Sequence, residues 1–529
     1  MYLSELLDGL TRLIPTDVTV SAITNDSRKI TPQTVFFAQA GLRSHGLDYL
    51  RDECLKGKSQ PAAVVYEPPY DLSRFACADN WIAIPSLSQH MSEIGRRFYQ
   101  PIFDIAPIGV TGTNGKTSVT QYIAQLADFS VIGTMGYGRL NGGASDALTA
   151  LSHTTPDALA VQAILAELSQ QSSGVAMEVS SHALALHRVS AVDFGVAVFT
   201  NLTQDHLDFH GDMAQYFLEK AKLFMLPTVH TAIINVDGMH DNHGGESDAS
   251  DASDASDVGN YGARLAAQVQ AAGKCVWVYG ESDAVLDYDN AVRLTDIQLS
   301  ANGISVKLQR KTNGKQWTEN LTAPVWGRFN AHNLVAAMLA LQASGFAWAA
   351  LLNKTASIRG VTGRIDPIHL PNGGVAVIDY AHTPDALIRT LQSLREQVSG
   401  KIIAVFGCGG DRDKGKRPLM AAAVEAHADA GIITDDNPRT ESSADIIADI
   451  WQGVENEAKF TVVASRKTAI CAGLAQLQAG DVLLIAGKGH ETYQIIGDQT
   501  FDFSDYAVVA EWLVTSQETR KKCAKNAER

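Results

Sequence analysis

The chain has 529 residues, 45% of them hydrophobic and 19% charged, with a formal net charge of −15. That length suits about three globular domains with real cores, and the acidic balance excludes general nucleic-acid binding, since a phosphate backbone would be repelled. Six scattered cysteines with no C-x-x-C pair, an N-terminus that does not read as a signal peptide and no apolar run of bilayer length point to a reduced, cytoplasmic chain with no membrane insertion.

Residues 1–105 carry short apolar runs that read as strands: Val18–Ile23, Thr34–Ala38, Ala62–Tyr66 and Trp81–Ile84. Between the first two lies Asn25-Asp26-Ser27-Arg28, which suits a ligand contact or an ordinary solvated turn. Pro101 and Pro107 mark the entry to a second unit, predicted over 106–360. Its strands are expected at Ile108–Thr111, Gly174–Met177, Phe194–Phe199 and Ala232–Asn235, alternating with helical segments. That alternation implies a mostly parallel sheet, with ligands beyond the carboxyl ends of the strands.

The first of these strands runs into Gly112-Thr113-Asn114-Gly115-Lys116-Thr117-Ser118 and then a helical segment, Val119–Ala127. A strand, a glycine turn and a helix N-terminus make a phosphate cradle. Backbone N–H groups and the helix dipole face the anion, Lys116 reaches the terminal phosphates, and the Thr117 hydroxyl faces Mg²⁺. The standard spacing wants a glycine where Val110 stands, so these residues alone leave an ordinary glycine turn open. Glu178 and His206 also follow strands. A carboxylate, an imidazole and a hydroxyl suit Mg²⁺ whose remaining positions are filled by nucleotide phosphates. Glu219-Lys220-Ala221-Lys222 reads, from its residues, as a solvated helix face.

Residues 244–258 are an acidic repeat expected to be disordered. Their Asp spacing of three and the lack of a closing Glu argue against a calcium loop. Asn330-Ala-His-Asn333 precedes an alanine-rich helix over Leu334–Gln342. A third unit, predicted over 361–529, has strands at Val375–Asp379, Ile402–Phe406, Gly431–Thr434 and Val482–Ala486. Three polar loops follow these strands: Gly407–Arg417, Thr434–Arg439 and Gly487–Glu491. Converging at neighbouring parallel strand ends, they would form one pocket, whose guanidiniums suit a carboxylate.

These motifs together resemble the Mur ligases, ATP-dependent amide-forming enzymes of peptidoglycan precursor synthesis. The resemblance spans nearly the whole chain. It rests on Gly112–Thr117, Glu178-Val-Ser-Ser-His182, Asn201-Leu-Thr-Gln-Asp-His206, Asn330–Asn333, Gly363-Arg364 and Asp379-Tyr-Ala-His382. It implies three α/β domains: a small N-terminal UDP-substrate domain, a central phosphate-loop domain with a mostly parallel sheet, and a C-terminal Rossmann-like domain for the amino acid. Within the family the chain is similar to members that add a third residue to UDP-N-acetylmuramoyl-L-Ala-D-Glu through an acyl phosphate. Asp436-Asn437-Pro438-Arg439 resembles the motif of those that add meso-diaminopimelate. Arg439 and Arg412 would pair with the distal carboxylate of that amino acid and repel the ammonium of lysine; Asn437, Gly487 and Glu491 would complete the site.

The same resemblance gives Lys116, Glu178, His206 and Lys222 catalytic roles. It assigns Thr117, Glu178, His206 and a carbamylated Lys222 to metal. ATP would meet the phosphate loop from one side and Asn333, Arg364, Asp379 and His382 from the other, with domain closure excluding water. Ser27 would contact UDP, and Thr154, Thr155, Ser180 and Arg188 the muramoyl-dipeptide, although Leu186 and His45-Gly46-Leu47 depart from the family pattern there. ATP, Mg²⁺ and a monomeric cytoplasmic enzyme are expected. Ligation of L-lysine, or a phosphate-loop NTPase acting as a switch or kinase, are the alternatives.

Overall fold

The computed structural model describes residues 1–41, 44–50, 60–73, 75, 80–140, 148–203, 205–237 and 260–515. The acidic repeat and Cys54, Cys77 and Cys523 lie outside them. The chain divides into two compact units. One takes in Met1–Gly142, Asp146–Val292 and Ala336–Trp348; the other is chiefly Arg293–Val335 and Ala349–Arg529.

The first unit begins with four strands in sequence order, all parallel: β1 Ala22–Thr24, β2 Thr34–Ala38, β3 Ala63–Tyr66 and β4 Trp81–Ala83. All five residues of β2 are buried, so both faces of this small sheet are covered. Leu87, Met91 and Ile94 form the apolar stripe of the helix Leu87–Tyr99 and pack with Leu3, Leu6 and Val35 on one face. Ala158 and Leu159 of the helix Ala158–Ser169 join the same cluster.

The larger sheet of this unit contains β5 Ile108–Thr111, β6 Ser130–Gly133, β7 Gly136–Arg139, β8 Val175–Glu178, β9 Val196–Phe199, β10 Thr231–Asn235 and β11 Cys275–Gly280. Their order is β11-β10-β9-β5-β8-β6-β7, and only β7 runs antiparallel. Strands β5, β6, β8 and β9 are buried along their whole length, as two-sided parallel strands must be. The chain leaves β5 toward β6 on one side and later returns to β9 on the other. That reversal opens the crevice at the carboxyl end of β5 in which α/β sheets bind ligands.

The second unit holds three strands that were not read from the sequence: β12 Ala291–Ser300, β13 Gly303–Thr312 and β14 Lys315–Ala323. β12 begins in the last residues of the first unit. β13 and β14 form an antiparallel hairpin closed by Asn313-Gly314, both at positive φ (49° and 71°). The six-stranded sheet is ordered β15-β16-β20-β17-β18-β19, from β15 Asp366–His369, β16 Val375–Asp379, β17 Ile402–Phe406, β18 Ala430–Ile433, β19 Phe460–Val462 and β20 Val482–Ala486. All but β15 are parallel. Its two faces carry separate cores, one around Phe406 and Leu391, the other around Ile470 and Leu483. A small hairpin, β21 Tyr493–Ile496 with β22 Gln499–Asp502, follows. Among the described residues no helix is long and apolar enough to cross a membrane.

Candidate active site

The loop after β5 wraps against the loop after β9. Gly112 adopts φ 145°, and a Cβ there would stand 2.0 Å from Thr200 Oγ1, so glycine is required. The Thr113 N–H donates to Asn201 O (3.0 Å), the Asn114 N–H to Asn201 Oδ1 (3.0 Å), and Thr113 Oγ1 to Thr203 O (3.1 Å). Gly115, at φ 85°, is the N-cap of the helix Lys116–Ala127 and makes no side-chain cap bond to it. Lys116 Nζ folds back to donate to the carbonyls of Gly112 (2.9 Å) and Thr113 (2.8 Å).

Of the two lysines on the helix Met213–Met225, the structure turns Lys220, not Lys222, to this loop. Lys222 is half-exposed, 47% at its side chain, and pairs with Glu219 at 2.6 Å. Lys220 is 1% exposed, and its Nζ donates to Gly112 O at 2.9 Å. Burial, reinforced by neighbouring Lys116, pulls its ammonium well below the ordinary lysine range against the opposing charge of Asp205. Sequence periodicity carried the signal. Tyr216, Phe217, Lys220, Leu223 and Phe224 form one buried face, to which Lys222 does not belong.

Glu178 ends β8 with 1% exposure. Its carboxylate accepts from the Thr134 N–H (2.9 Å) and Thr134 Oγ1 (3.2 Å), and Thr134 Oγ1 lies 3.1 Å from Thr154 Oγ1. Thr155 Oγ1 donates to Glu178 O (2.9 Å) and accepts from the Ser180 N–H (3.1 Å), while Arg188 Nη1 donates to Thr155 O (2.9 Å). Glu178, Thr154, Thr155, Ser180 and Arg188 therefore form one connected network, with Thr134 as a member that the sequence did not suggest. His206, at φ 54° and with its side chain 48% exposed, stands edge-on to His182 at 4.9 Å and 3.4 Å from Asp205. Thr117 is buried in the first helical turn. Among the described residues no hydrogen bond links Ser27 to this network. It opens a 3₁₀ turn after β1 whose cap, Asp26, is held by Arg28.

In the second unit Asp379 ends β16. It accepts from the Ile365 N–H (2.9 Å), the Ala381 N–H (3.0 Å) and Thr390 Oγ1 (3.0 Å). Burial raises its carboxyl although Arg364 and these bonds oppose the shift. The Gly363-Arg364 turn is pinned by Tyr506, whose hydroxyl accepts from the Gly363 N–H (2.6 Å) and donates to Asp366 (2.6 Å), a carboxyl that burial pushes up to about 6. Arg364 stacks over Tyr380 at 5.2 Å. His382 is exposed, and its carbonyl accepts from Lys416. Asn333, buried in the helix Arg328–Ala343, donates to Asn330 (3.1 Å). Among the described residues no hydrogen bond joins it to Arg364, Asp379 or His382.

The loops after β17, β18 and β20 do meet. Lys488, entirely buried, donates to Asn437 Oδ1 (2.9 Å) and Tyr493 O (2.7 Å) and lies 3.5 Å from Glu491. Asn437 Nδ2 donates to Glu491 (3.1 Å). Arg439, at φ 52°, donates from Nη1 to Gly410 O (2.8 Å), and its backbone bridges to Ile496 of the hairpin. Beneath them Arg466 makes a two-pronged salt bridge with Asp505 (2.8 and 2.7 Å) and donates to Ala486 O (2.9 Å). Both partners have no exposed side-chain area. Arg412 is exposed. Among the described residues no three His, Cys, Asp or Glu side chains gather as a metal-holding group.

Comparison with known proteins matches residues 110–341 to the Mur ligase middle domain and 363–489 to the Mur ligase glutamate ligase domain. A Coxiella burnetii protein named UDP-N-acetylmuramoyl-L-alanyl-D-glutamate--2,6-diaminopimelate ligase is 41% identical over 95% of this chain and 98% of its own. A Pseudomonas aeruginosa protein of the same name is 40% identical over 92% and 94%. A solved structure of a ligase of that name aligns with TM-score 0.67 and 30% identity, covering 98% of this chain and 99% of the other.

Proposed function

The chain belongs to the Mur ligase family, and from that premise we propose that it joins meso-diaminopimelate to the D-Glu carboxylate of UDP-N-acetylmuramoyl-L-Ala-D-Glu with hydrolysis of ATP. The observation that carries this reading is the convergence of three strand-end loops. They bring Asn437 to Glu491 with Lys488 buried against both, and fix Arg439 on Gly410 O.

In the reaction the γ-phosphoryl group passes to the D-Glu carboxylate. The amine of diaminopimelate then attacks the acyl phosphate, an amide forms, and phosphate leaves. The N–H groups of Gly112–Ser118 hold the phosphates, and Lys116 exchanges its carbonyl partners for phosphate oxygens. Transfer between crowded anions is chiefly neutralisation and positioning. The Thr117 hydroxyl and Glu178 carboxylate are oxygen donors that suit Mg²⁺, an ion that keeps several waters and phosphate oxygens and so needs few protein ligands; His206 is the third candidate. Bound there, Mg²⁺ would neutralise phosphate charge.

We assign the carbamate to Lys220 in place of Lys222. An amine whose burial favours its neutral form adds to CO₂ in that form, forming a C–N bond and releasing one proton. The resulting anion offers oxygen donors beside the phosphate loop. Asn333, Arg364, Asp379 and His382 serve ATP. Thr154, Thr155, Ser180 and Arg188, with Ser27, serve the UDP-sugar peptide. Arg412, Asp436, Pro438, Arg439 and Gly487 belong with Asn437 and Glu491 to the diaminopimelate site. The division 1–105, 106–360 and 361–529 follows these three tasks, and the enzyme acts as a cytoplasmic monomer.

The test is phosphate release with Mg-ATP and UDP-N-acetylmuramoyl-L-Ala-D-Glu, adding meso-diaminopimelate or L-lysine in parallel. Release with diaminopimelate alone is expected. Release with both would keep the ligase and discard the selectivity. Release without any amino acid would favour the NTPase reading.

A further inference from the structure

Two of the amino-acid loops are tied together by one carboxylate. Glu441 stands two residues beyond Arg439. Its Oε1 accepts from Arg417 Nη2 (2.9 Å) and the Asp411 N–H (2.5 Å); its Oε2 accepts from Arg417 Nη1 (3.1 Å) and pairs with Lys414 Nζ (3.1 Å). Arg417 is wholly buried and also binds Asp449 (2.8 Å). Asp411 returns the link, accepting from the Thr440 N–H (3.2 Å) and Thr440 Oγ1 (2.8 Å). The loops touch along their backbones as well. Gly410 N–H donates to Asn437 O (2.9 Å), and a Cβ on Gly410 would stand 1.8 Å from Pro438 O.

Arg412 is thus suspended between Asp411 and Lys414, both bound to Glu441, and Arg439 is anchored just before it. Glu441 also sorts the charge, because it occupies Arg417 and Lys414. Among the described residues neither Arg412 nor Arg439 has a carboxylate at ion-pair distance. The hydrogen bonds from Arg417, with the Asp411 N–H, push the Glu441 carboxyl down to about 2, so it stays ionised at any working pH.

We propose that Glu441 is a specificity-determining positioning residue: by binding Arg417, Lys414 and the Asp411 amide it sets the spacing of the Arg412 and Arg439 guanidiniums, and with it the preference for an amino acid ending in a carboxylate over one ending in an ammonium. This rests on the diaminopimelate reading above. Two guanidiniums grip one carboxylate only at a matched separation, whereas the ammonium of lysine gains nothing from it.

The experiment compares full-length wild type, Glu441→Gln and Glu441→Asp for KM and kcat with diaminopimelate, L-lysine and ATP. In Glu441→Gln the KM for diaminopimelate should rise about tenfold or more and the diaminopimelate-to-lysine ratio of kcat/KM should fall by the same factor, with the KM for ATP unchanged. Glu441→Asp, which keeps the charge, should lie between. An unchanged ratio in a folded variant, or equal losses for both amino acids, would overturn the proposal. If Glu441→Gln does not fold, the ratio in Glu441→Asp decides in the same way. A wild type that does not ligate diaminopimelate would instead bring down the functional reading itself.

Discussion

Around Gly112 the lysine nitrogens rest on carbonyl oxygens; around Asp436 the cations are locked to carboxylates. Lys116 and Lys220 both reach Gly112 O. Arg466, Arg417 and Lys488, all fully buried at their side chains, face Asp505, Glu441 with Asp449, and Asp436 with Glu491. A carbonyl oxygen carries only a partial charge, so a phosphate easily displaces it as a partner. A buried ion pair cannot be redirected without stranding a charge. The first region is arranged to receive charge and the second to hold a shape, and Arg412 and Arg439, the arginines left outside its pairs, are the ones we propose for the substrate.

Substitutions should separate these two styles. Lys116→Ala should lower kcat by at least about 10³-fold while leaving the melting temperature nearly unchanged; near-normal ADP release would remove the phosphate loop from the comparison. Asp505→Ala should do the reverse, costing about 3–5 kcal/mol of unfolding free energy because Arg466 loses its partner in the interior. A small shift in a denaturant titration would show that this pair is not structural. Lys220→Met should cost about 10²-fold in kcat, and stripping CO₂ from wild type should mimic it until bicarbonate is added. Indifference to CO₂ would return Lys220 to a plain packing role.

Acid should probe the second region. Burial first, and Arg364 second, hold His490 down to about 4, while the unfolded chain protonates near 6.5. The unfolded state therefore binds more protons between those values, and stability falls as pH drops through them. Asp366, raised to about 6, acts in the opposite sense, losing stability as pH rises from its unfolded value. The two nearly offset. His490→Phe should then be about 2 kcal/mol more stable relative to wild type at pH 4.5 than at pH 7, read from unfolding curves; parallel curves would deny the shift. Last, Arg439→Ala should raise the KM for diaminopimelate about tenfold and relax discrimination against lysine, and an unaltered substrate ratio would sink the carboxylate argument.

The phosphate loop was legible because its function is written in one contiguous run. The parallel strands were legible because burial on both faces makes them near-continuous apolar runs, as in β5, β16, β17 and β20, whose bounds agree with the expectation. The hairpin of β13 and β14 went unread although Asn313-Gly314 is the strongest short hairpin signal. Lys220 was readable from helical period but was set aside as surface. Arg466 and Lys488 were not readable, because the burial of a charge depends on partners far along the chain, and Glu441 was not, because its partner Arg417 lies on a different loop-and-helix segment. Asp505 lies 39 residues from Arg466, and Asn437 lies 51 from Lys488.

The place of β20 between β16 and β17 has a consequence in time. Val375 and Ile402 both pair with Val482, so β16 with its neighbour β15 and β17 with its neighbour β18 stay unjoined on their facing edges until the chain has been made that far. At about 5–20 residues per second the ribosome needs roughly 5–20 s to travel from residue 375 to residue 482. The phosphate loop, whose strand pairs with β8 and β9, is complete well before that. On the proposed reading, the nucleotide cradle therefore forms on the nascent chain while the pocket for the amino acid is still waiting for its central strand.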